Sequence, residues 1–283
     1  MEEGNMEGNV EEVVEMEEKG GEVEVKKEEE KEVPPVEFEI TRDALVEFIN
    51  LASVGGLIDE LRFTVSEKGL IATNVDLSRV MLSVAILPSD YLLNPAQQTR
   101  QLCIEAGEVS KLLAHVKDED VKIKVTKDKM TLKTKTMRIK APILSYGKQE
   151  DFSKLIKITD DLKVETQFNH DFEYEVQVSE LKNALIMKDA DVVFGCYEGG
   201  VTITQYGVQG EYETTTILNF AEGEPAHKVI LSYEYLRKIL SVCNKDNLVI
   251  CKLSSNETNP AVFSYTGENG VDAIYLLAPK LEM

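Results

Sequence analysis

The chain has 283 residues, 43% of them hydrophobic and 29% charged, which is the composition of a soluble globular protein with one large or two ordinary domains. It contains no run of about 18 apolar residues, and its first five residues lack basic and apolar segments, so we expect neither a membrane span nor a secretory signal. The net charge of −20 argues against broad nonspecific binding to nucleic acids, although a localised basic surface stays possible.

Residues 1–36 are predicted to form a disordered acidic extension. They hold 14 Glu against 4 Lys, contain no aromatic residue, and include Pro34 and Pro35 near their end. A segment with so little apolar surface and so much charge cannot offset the entropy lost on ordering. Two alternatives stay open for it: a solvating tail that binds nothing, or a regulatory or partner-binding arm.

From residue 37 onward, the pattern of a strand, a short amphipathic helix and two or three strands occurs four times. The predicted strands are 37–40, 60–65, 70–74, 80–86, 101–104, 121–125, a pair within 129–140, 172–178, 192–197, 201–205, 211–218, 228–231, 248–253, 261–265 and 271–277. The predicted helices are 41–52, 105 to about 116, 179–188 and 232–243. The sequence therefore predicts an α+β fold with two similar domains, 37–142 and 169–283, each of two units. Residues 143–168 are predicted to be a polar connecting segment.

Local chemistry supports the helices and the turns. Thr41, Ser179 and Ser232 are residue types that cap helix N-termini. The segments 66–69 and 198–200 are typical of hairpin turns. Apolar residues spaced for one helix face predict buried stripes at Val109, Leu112, Leu113 and Val116, at Leu181, Ala184 and Leu185, and at Leu236, Ile239, Leu240 and Cys243.

The residues that usually carry catalysis or bind metals form no recognisable motif. The four Cys residues lack CxxC spacing, so we expect buried structural thiols in a reducing compartment. The three His residues lack metal-ligand spacing, and no phosphate-binding loop, GxGxxG or GxSxG occurs. We therefore predict no catalytic residues, no metal and no cofactor.

Four segments in the repeat carry specific motifs. Residues 273–280 read Ala-Ile-Tyr-Leu-Leu-Ala-Pro-Lys, and residues 74–80 read Asn-Val-Asp-Leu-Ser-Arg-Val. Residues 110–113 read Ser-Lys-Leu-Leu before the acidic turn 118–120, and residues 232–236 read Ser-Tyr-Glu-Tyr-Leu. Taken together and in their order along the chain, these segments resemble the eukaryotic and archaeal sliding clamps, the proliferating cell nuclear antigen (PCNA) family. The resemblance includes the Tyr-Leu-Ala-Pro ending of the clamps' last strand.

The resemblance extends from about residue 38 to 280. It implies a ring of three subunits, either copies of one chain or paralogues, with helices lining the hole and sheets forming the outer wall. Such a ring encircles duplex DNA without reading its sequence and acts as a non-enzymatic processivity factor. The implied clients are a DNA polymerase, a clamp loader, a nuclease and a ligase, each held by a short peptide. The implied location is intracellular: the nucleus in a eukaryote, the cytoplasm in an archaeon, and no membrane.

Bases that lie off the apolar stripes or at the helix ends are the candidate DNA contacts. These residues are Lys111, Lys117, Lys182, Lys188, Arg237, Lys238 and Lys245. We expect charge reversal at Lys111, Lys182 and Arg237 to weaken retention on DNA and to leave folding intact.

The resemblance also implies a client pocket and two strand edges for ring closure. The pocket residues are Val75, Val80, Pro260, Leu276, Ala278 and Pro279, roofed by residues 143–166. The family's apolar contact from the connecting loop could fall on Leu155, Ile156 or Ile158. The candidate edge strands are 136–142 and 210–217, in which Met137, Ile139 and Ala141 alternate on one strand and Tyr212, Thr214 and Thr216 on the other.

Two departures keep alternatives open. The extension 1–36 has no counterpart, and the first helix has Val46 and Glu47 where many clamps place adjacent lysines, so that Arg42 is its one base. The chain could therefore be one subunit of a heterotrimer, or an interaction module that does not encircle DNA. An unrelated enzyme is the third alternative.

Overall fold

A computed structural model describes residues 34–145, 150–188, 190–207, 212–219 and 221–281. The predicted extension therefore lies outside the described residues as far as residue 33, as do residues 210 and 211 of the second predicted edge strand and residues 146–149 of the connecting segment. No helix within the described ranges is long and apolar enough to cross a membrane.

The described residues form four α-helices, one short 3-10 helix (Ser89–Tyr91) and 19 strands. The helices are α1 (Arg42–Ser53), α2 (Ala106–Leu113), α3 (Val178–Ala184) and α4 (Tyr233–Val242). The strands of the first half are β1 (Val36–Thr41), β2 (Glu60–Ser66), β3 (Gly69–Val75), β4 (Met81–Pro88), β5 (Leu92–Asn94), β6 (Arg100–Glu105), β7 (Asp120–Val125), β8 (Lys129–Lys133) and β9 (Arg138–Pro142). The strands that follow are β10 (Ile156–Ile158), β11 (Val164–Thr166), β12 (Phe172–Gln177), β13 (Val192–Cys196), β14 (Gly200–Tyr206), β15 (Glu213–Asn219), β16 (His227–Leu231), β17 (Leu248–Leu253), β18 (Ala261–Thr266) and β19 (Asp272–Leu277).

The predicted α+β fold of four strand–helix–strands units is confirmed, and most element boundaries agree within two residues. The third helix is the main exception, because α3 ends at Ala184 and not at residue 188. The buried amide of Gln205 donates to the carbonyl of Met187 at 2.9 Å and accepts from its N–H at 3.0 Å. This side chain holds the chain after Ala184 against β14, so the helix cannot continue.

The predicted N-caps differ in their outcomes. Thr41 is confirmed, since its hydroxyl oxygen accepts from the N–H of Ala44 at 3.3 Å. Ser232 occupies the N-cap position of α4, but its side chain makes no capping hydrogen bond. Ser179 is wrong as an N-cap, because α3 already begins at Val178 and Gln177 occupies the capping position.

The largest sheet is continuous across the two halves of the chain. Its eight strands have the order β12-β17-β18-β19-β4-β3-β2-β6, and β4 pairs with β19 so that Met81 lies opposite Leu277. A five-stranded sheet has the order β5-β1-β7-β8-β9, and a four-stranded sheet has the order β15-β14-β13-β16. The division into domains 37–142 and 169–283 stays a prediction.

Strand β4 shows how the eight-stranded sheet buries both of its faces. Met81, Ala85 and Leu87 point into the main core, which also contains the apolar faces of the four helices. The alternate residues Leu82 and Val84 belong to a second, separate cluster on the opposite side. Because successive side chains of a strand point to opposite faces, this second cluster lies on the face turned away from the helices, which we call the linker face.

The segment after β9 covers the linker face. Its role as the connecting segment between two domains stays a prediction, and the structure adds an element that was not predicted: residues 156–166 form the two-stranded hairpin β10–β11, which we call the linker hairpin. Its apolar residues pack on the sheet because they alternate with polar ones, as in any half-buried strand. The segment's residues in this cluster are Phe152, Leu155, Ile156, Ile158, Leu162, Val164 and Phe168.

Two ion pairs hold the linker segment, one ahead of the linker hairpin and one at the turn of the hairpin. Arg79 contacts Glu150 at 2.9 Å, and Lys68 contacts Asp160 at 2.9 Å while also donating to the carbonyl of Asp160. The Lys68 ammonium lowers the pKa of Asp160, in the first place through its hydrogen bond to the Asp160 carboxylate. Exposed ion pairs of this kind contribute little stability each, so the apolar contacts dominate the attachment.

The core confirms the buried thiols and corrects one stripe. All four Cys side chains are buried, and burial raises the pKa of Cys196, Cys243 and Cys251 to about 12. Thiols so rarely ionised are poor nucleophiles.

Leu112 is wrong as a stripe residue: it is 39% exposed, because α2 makes only about two turns and buries the narrow side that contains Val109 and Leu113.

Asp76 connects the β3–β4 turn to α4. Its carboxylate is 4% exposed and accepts from the N–H groups of Ser78, Val80 and Met81 at 2.7–2.9 Å. It also accepts from the hydroxyl of Tyr235 at 2.7 Å, across 159 positions of sequence. Burial and the carboxylate raise the pKa of Tyr235.

We expect Asp76→Ala to lower the free energy of unfolding by about 3 kcal/mol, because three backbone N–H groups of the turn lose the buried carboxylate that accepts their hydrogen bonds. Tyr235→Phe should cost only about 1 kcal/mol, since it removes one donor and leaves the turn intact. Urea denaturation of both variants measures the difference. Equal costs for the two variants would contradict the role assigned to Asp76.

Candidate functional site: helix face, strand edges and linker face

The predicted basic residues on α2 and α4 lie on the surface of these helices. Lys111 is exposed and pairs with Glu108 at 2.6 Å, and this hydrogen bond raises the pKa of Lys111. Arg237 lies over the ring of Tyr233, 5.8 Å from its centroid, and donates to its hydroxyl at 3.2 Å. Lys238 is exposed beside it. These contacts orient Arg237 and offset the charge of Lys111.

Lys182 has a structural contact that its position in the sequence did not reveal. It lies off the buried stripe of α3, as predicted, but its ammonium donates to the carbonyl of Cys243 at 3.1 Å. A cation at this carbonyl caps the C-terminus of α4. The expectation that charge reversal at Lys182 leaves folding intact therefore needs correction, because a carboxylate there would face the last carbonyls of α4.

The other predicted bases lie outside the helices. Lys117 and Lys245 are exposed in the segments that follow α2 and α4, and Lys188 follows α3. Lys188 and Arg237 line one cavity of about 580 Å³ on the surface of α4. The structure therefore brings Lys188 close to the α4 bases, although it is not part of a helix.

Glu47 explains why α1 lacks the expected lysines. Its carboxylate accepts from the N–H groups of Glu268 and Asn269 at 2.9 Å each, in the turn between β18 and β19. Its oxygens occupy the space beside Gly267, where an added Cβ would lie 2.5 Å away. A lysine could not accept these two hydrogen bonds, so this position serves the contact between the two halves of the chain.

In the three larger sheets of the described residues, six strands end a sheet and pair with another strand on one side only: β5, β6, β9, β12, β15 and β16. Strand β9 ends the five-stranded sheet and β15 ends the four-stranded sheet. The outward side chains of β9 are basic, with Arg138 and Lys140 exposed, whereas Glu213 is exposed on β15. Apolar side chains are also exposed at both edges: Met137 beside β9, and Tyr212 and Ile217 at β15. Strand β9 therefore carries two exposed bases and β15 one exposed acid, and both edges also expose apolar side chains.

The predicted client-pocket residues lie around one row of the eight-stranded sheet. Val75 lies opposite Leu82, Leu82 opposite Leu276, and Leu276 opposite Val262. The N–H of Ala278 donates to the carbonyl of Val80 at 2.9 Å, which places these two side by side.

Pro260 lies shortly before Val262 in the sequence, and Pro279 lies shortly after Leu276. Pro260 precedes β18, and its carbonyl contacts His170 Nε2 at 3.1 Å. Pro279 follows β19 and lines a cavity of about 200 Å³ with Lys280 and His227.

Leu82 and Val262 belong to the row, but sequence reasoning did not select them. The continuous apolar run of β4 was the available signal, because a strand that is apolar at successive positions is buried on both faces. In the row itself Leu276 is only 3% exposed, since the linker segment covers it. Ile156, one of the three candidates for the loop contact, is the most buried of them, and Leu155 and Ile158 pack on the same cluster.

Two features near the row stay open to solvent. Ala278 is exposed, and a cavity of about 390 Å³ lies beside Val75, lined also by Arg79, Phe152 and Leu77. Leu77 is 99% exposed at the tip of the β3–β4 turn.

In the described part of the chain, no group of three His, Cys, Asp or Glu side chains is arranged to hold a metal.

Several solved structures that share this architecture are PCNA sliding clamps. One is the PCNA of A. fulgidus in a structure with the C-terminal region of FEN-1 bound. It is 16% identical in sequence with a TM-score of 0.69, and the match covers 88% of this chain and 99% of that one. The chain has the fold of the sliding clamps. The PCNA of Entamoeba histolytica shares this clamp fold at 16% identity and a TM-score of 0.68, with 87% of this chain and 99% of that one covered. The PCNA2–PCNA3 complex of Sulfolobus tokodaii shares it at 15% identity and a TM-score of 0.66, with 87% and 100% covered. No family model and no curated protein matches the sequence.

Proposed function

We propose that this chain is the subunit of a three-membered sliding clamp that encircles duplex DNA and tethers replication and repair proteins. The observation that carries the proposal is that β9 and β15, each at the end of its sheet on a clamp fold, also expose charged and apolar side chains. One edge is basic and the other acidic, so copies of the chain can join head to tail, and a head-to-tail contact closes into a ring when the rotation fits. The native mass, measured with and without candidate paralogues, tests this proposal and separates a homotrimer from a heterotrimer.

The DNA contact in this proposal is weak and directed to phosphates. Lys111, Arg237 and Lys238 are exposed on the helices, and Lys117, Lys188 and Lys245 extend the surface. Contacts to phosphates carry no sequence information, and a clamp that slides requires this. Glu108 and Glu47 reduce the positive charge of the helix face, so we expect a moderate dependence of retention on salt.

The proposed clients are a DNA polymerase, a clamp loader, a nuclease and a ligase that dock through short peptides. The FEN-1 region bound to the A. fulgidus clamp supports this mode of docking for the fold. The proposed surface is the Val75–Leu276 row with Val80, Pro260, Ala278 and Pro279. The proposal assigns no reaction to the chain, and a DNA partner implies that it acts in a nucleus or a nucleoid.

A second candidate is a clamp-fold module that binds proteins without encircling DNA. It is favoured by the use of three helix-face positions for other contacts: Lys182 caps α4, Lys111 pairs with Glu108, and Glu47 binds a turn. Retention on DNA separates the candidates: a closed ring stays on circular duplex and slides off after linearisation, whereas the module does neither.

We expect Lys111→Glu, Arg237→Glu and Lys238→Glu together to shorten retention on circular duplex. They should also make the negative slope of log affinity against log salt less steep, by about 3. Folding should be unchanged, because these side chains are exposed and Lys182 is left in place. The matched control is Lys154→Glu, Lys157→Glu and Lys228→Glu, which changes the net charge equally at exposed positions away from the helices. A salt slope equal to that of the parent would remove these three residues from the DNA surface.

A further inference from the structure

One stretch of the chain has a charge opposite to that of the whole molecule. Residues 122–140 contain seven Lys and one Arg against the single acid Asp128, a net charge of +7, whereas the complete chain has a net charge of −20. This stretch spans most of strands β7, β8 and β9, which form consecutive antiparallel pairs. A basic charge so concentrated in an acidic chain indicates a surface that attracts anions.

The strand register aligns most of these bases on one face of the five-stranded sheet. Two rows of directly opposite residues cross the three strands: Lys122–Lys133–Arg138 and Lys124–Thr131–Lys140. Lys129 lies two residues before Thr131 and therefore shares this face. The intervening residues, such as Ile123 and Leu132, are buried in the main core with the helices. The bases therefore point away from the helices, and we call the surface formed by Lys122, Lys124, Lys129, Lys133, Arg138 and Lys140 the basic sheet face.

The basic sheet face is exposed and only partly neutralised. All six of its bases are exposed. Lys122 contacts Glu39 and Lys124 contacts Glu37 on the neighbouring strand β1, each at 2.6 Å. Among the residues that the structure describes, Lys129 and Lys133 form no ion pair. Their ammonium groups are therefore available to a ligand.

This surface differs from those already described. The candidate DNA contacts lie on the helices and the segments after them, on the other side of the five-stranded sheet from these bases. The client row belongs to the eight-stranded sheet, whereas β7 and β8 belong to the five-stranded one. Arg138 and Lys140 are also assigned to the β9 edge of the proposed ring, so the inference rests on the lysines of β7 and β8.

The chemistry of the basic sheet face favours a peptide over a nucleic acid. Residues 120–142 contain no aromatic residue, so the bases of a single strand would find nothing to stack on. A duplex carries one charge per about 1.7 Å of its axis and would extend beyond the patch, over the acidic remainder of the chain. A short peptide with a few carboxylates covers the patch alone.

We propose that the basic sheet face binds a short acidic peptide, which lies extended along β8 with a carboxylate at every second residue. Alternate side chains of an extended peptide are about 6.7 Å apart, which is also the spacing from Lys122 to Lys124 along β7. Lys129 and Lys133, four residues apart on β8, fit the same repeat. Surface charge pairs supply specificity more than affinity, so the binding is weak and decreases as salt rises. The site does not depend on ring closure or on DNA binding.

The probe is the fluorescent peptide Glu-Thr-Glu-Thr-Glu-Thr-Glu, measured by anisotropy with the full chain. We expect saturable binding that weakens as salt is added, and no detectable binding of the peptide with Gln in place of Glu. A short linear duplex, compared at an equal concentration of negative charge, should displace the probe less effectively than unlabelled peptide. A duplex that displaces it more effectively would overturn the proposal and make the face a nucleic-acid surface.

Charge reversal on β8 locates the site. Lys129→Glu with Lys133→Glu should weaken binding of the probe about 10-fold, since two attractive contacts become repulsive. Both side chains are exposed and lie on neither proposed ring edge, so folding and native mass should be unchanged. Lys154→Glu with Lys157→Glu, which changes the net charge equally at exposed positions, is the matched control and should change the affinity less than about twofold.

A second variant should strengthen binding, which a damaged fold could not do. Glu37→Gln with Glu39→Gln removes the carboxylates that pair with Lys124 and Lys122, so both ammonium groups become available to the probe. We expect a gain in affinity of about threefold. Equal binding to the β8 reversal and to its control, no gain from the β1 variant, or no binding to the parent would each overturn the proposal.

Discussion

Reversing the charge of the β9 edge, by Arg138→Glu with Lys140→Glu, should convert the proposed ring into monomers. Both side chains are exposed on a strand whose outer hydrogen-bonding groups are unpaired, and in the proposed ring they face the acidic edge of β15 in the next subunit. Like charges placed directly opposite each other at an interface cost several kcal/mol. Because the contact is head to tail, one double substitution alters every interface of the ring.

Sedimentation and native mass spectrometry measure this effect, and retention on circular duplex should be lost with the ring. By itself, Glu213→Lys with Thr215→Lys on β15 should also break the ring. Combined with the β9 reversal in one chain, it should restore the ring, which would not happen if either change simply prevented folding. Lys154→Glu with Lys157→Glu is the matched control and should leave the ring intact. A parent chain that sediments as a monomer at high concentration, with no paralogue that completes a ring, would contradict the assembly.

The sequence predicted the fold well because each unit repeats strong local signals. In β7, Val121, Ile123 and Val125 alternate with polar residues, and the structure buries these three and exposes the others. Thr41 stands before the apolar period of α1 and caps it. Such signals depend on the residues within one element, so they are visible without tertiary contacts.

The elements that were missed depend on contacts across the chain. The end of α3 is set by Gln205, which lies 18 positions after Met187. The linker hairpin had a usable signal, since Leu162, Val164 and Phe168 follow a period of two with polar residues between them. That period was overlooked because the segment as a whole is polar, and the sheet that buries it is built from distant strands.

The same limit applies to the candidate site. A position off an apolar stripe can face solvent or a neighbouring element, and the sequence does not distinguish these cases. Lys182 reaches the carbonyl of Cys243, and Glu47 reaches the β18–β19 turn. The motif at 74–80 also proved to have a structural role, because Asp76 organises its turn and binds Tyr235. A resemblance in sequence therefore located these residues without showing what each one contacts.

Ala278→Asp should weaken client docking strongly while leaving stability nearly unchanged. Ala278 is exposed next to the Val75–Leu276 row, and its backbone N–H, which the substitution keeps, donates to Val80. A carboxylate at an apolar docking surface must be desolvated without a partner when the peptide binds. We expect an affinity loss of at least about 30-fold, the equivalent of about 2 kcal/mol, for a peptide led by glutamine and carrying two aromatic residues.

Leu276→Ser with Pro279→Ala is a weaker test than the sequence indicated, because Leu276 is 3% exposed beneath the linker segment. Removing a buried leucine side chain should cost about 3 kcal/mol of stability, so lost binding in that variant could come from unfolding. Ala278→Asp avoids this, and Ala226→Asp, at an exposed site that precedes β16, is its matched control. Titration calorimetry with the peptide and urea denaturation of each variant provide the comparison. Unchanged affinity in Ala278→Asp, or no binding of the peptide to the parent, would show that clients dock elsewhere on the clamp fold.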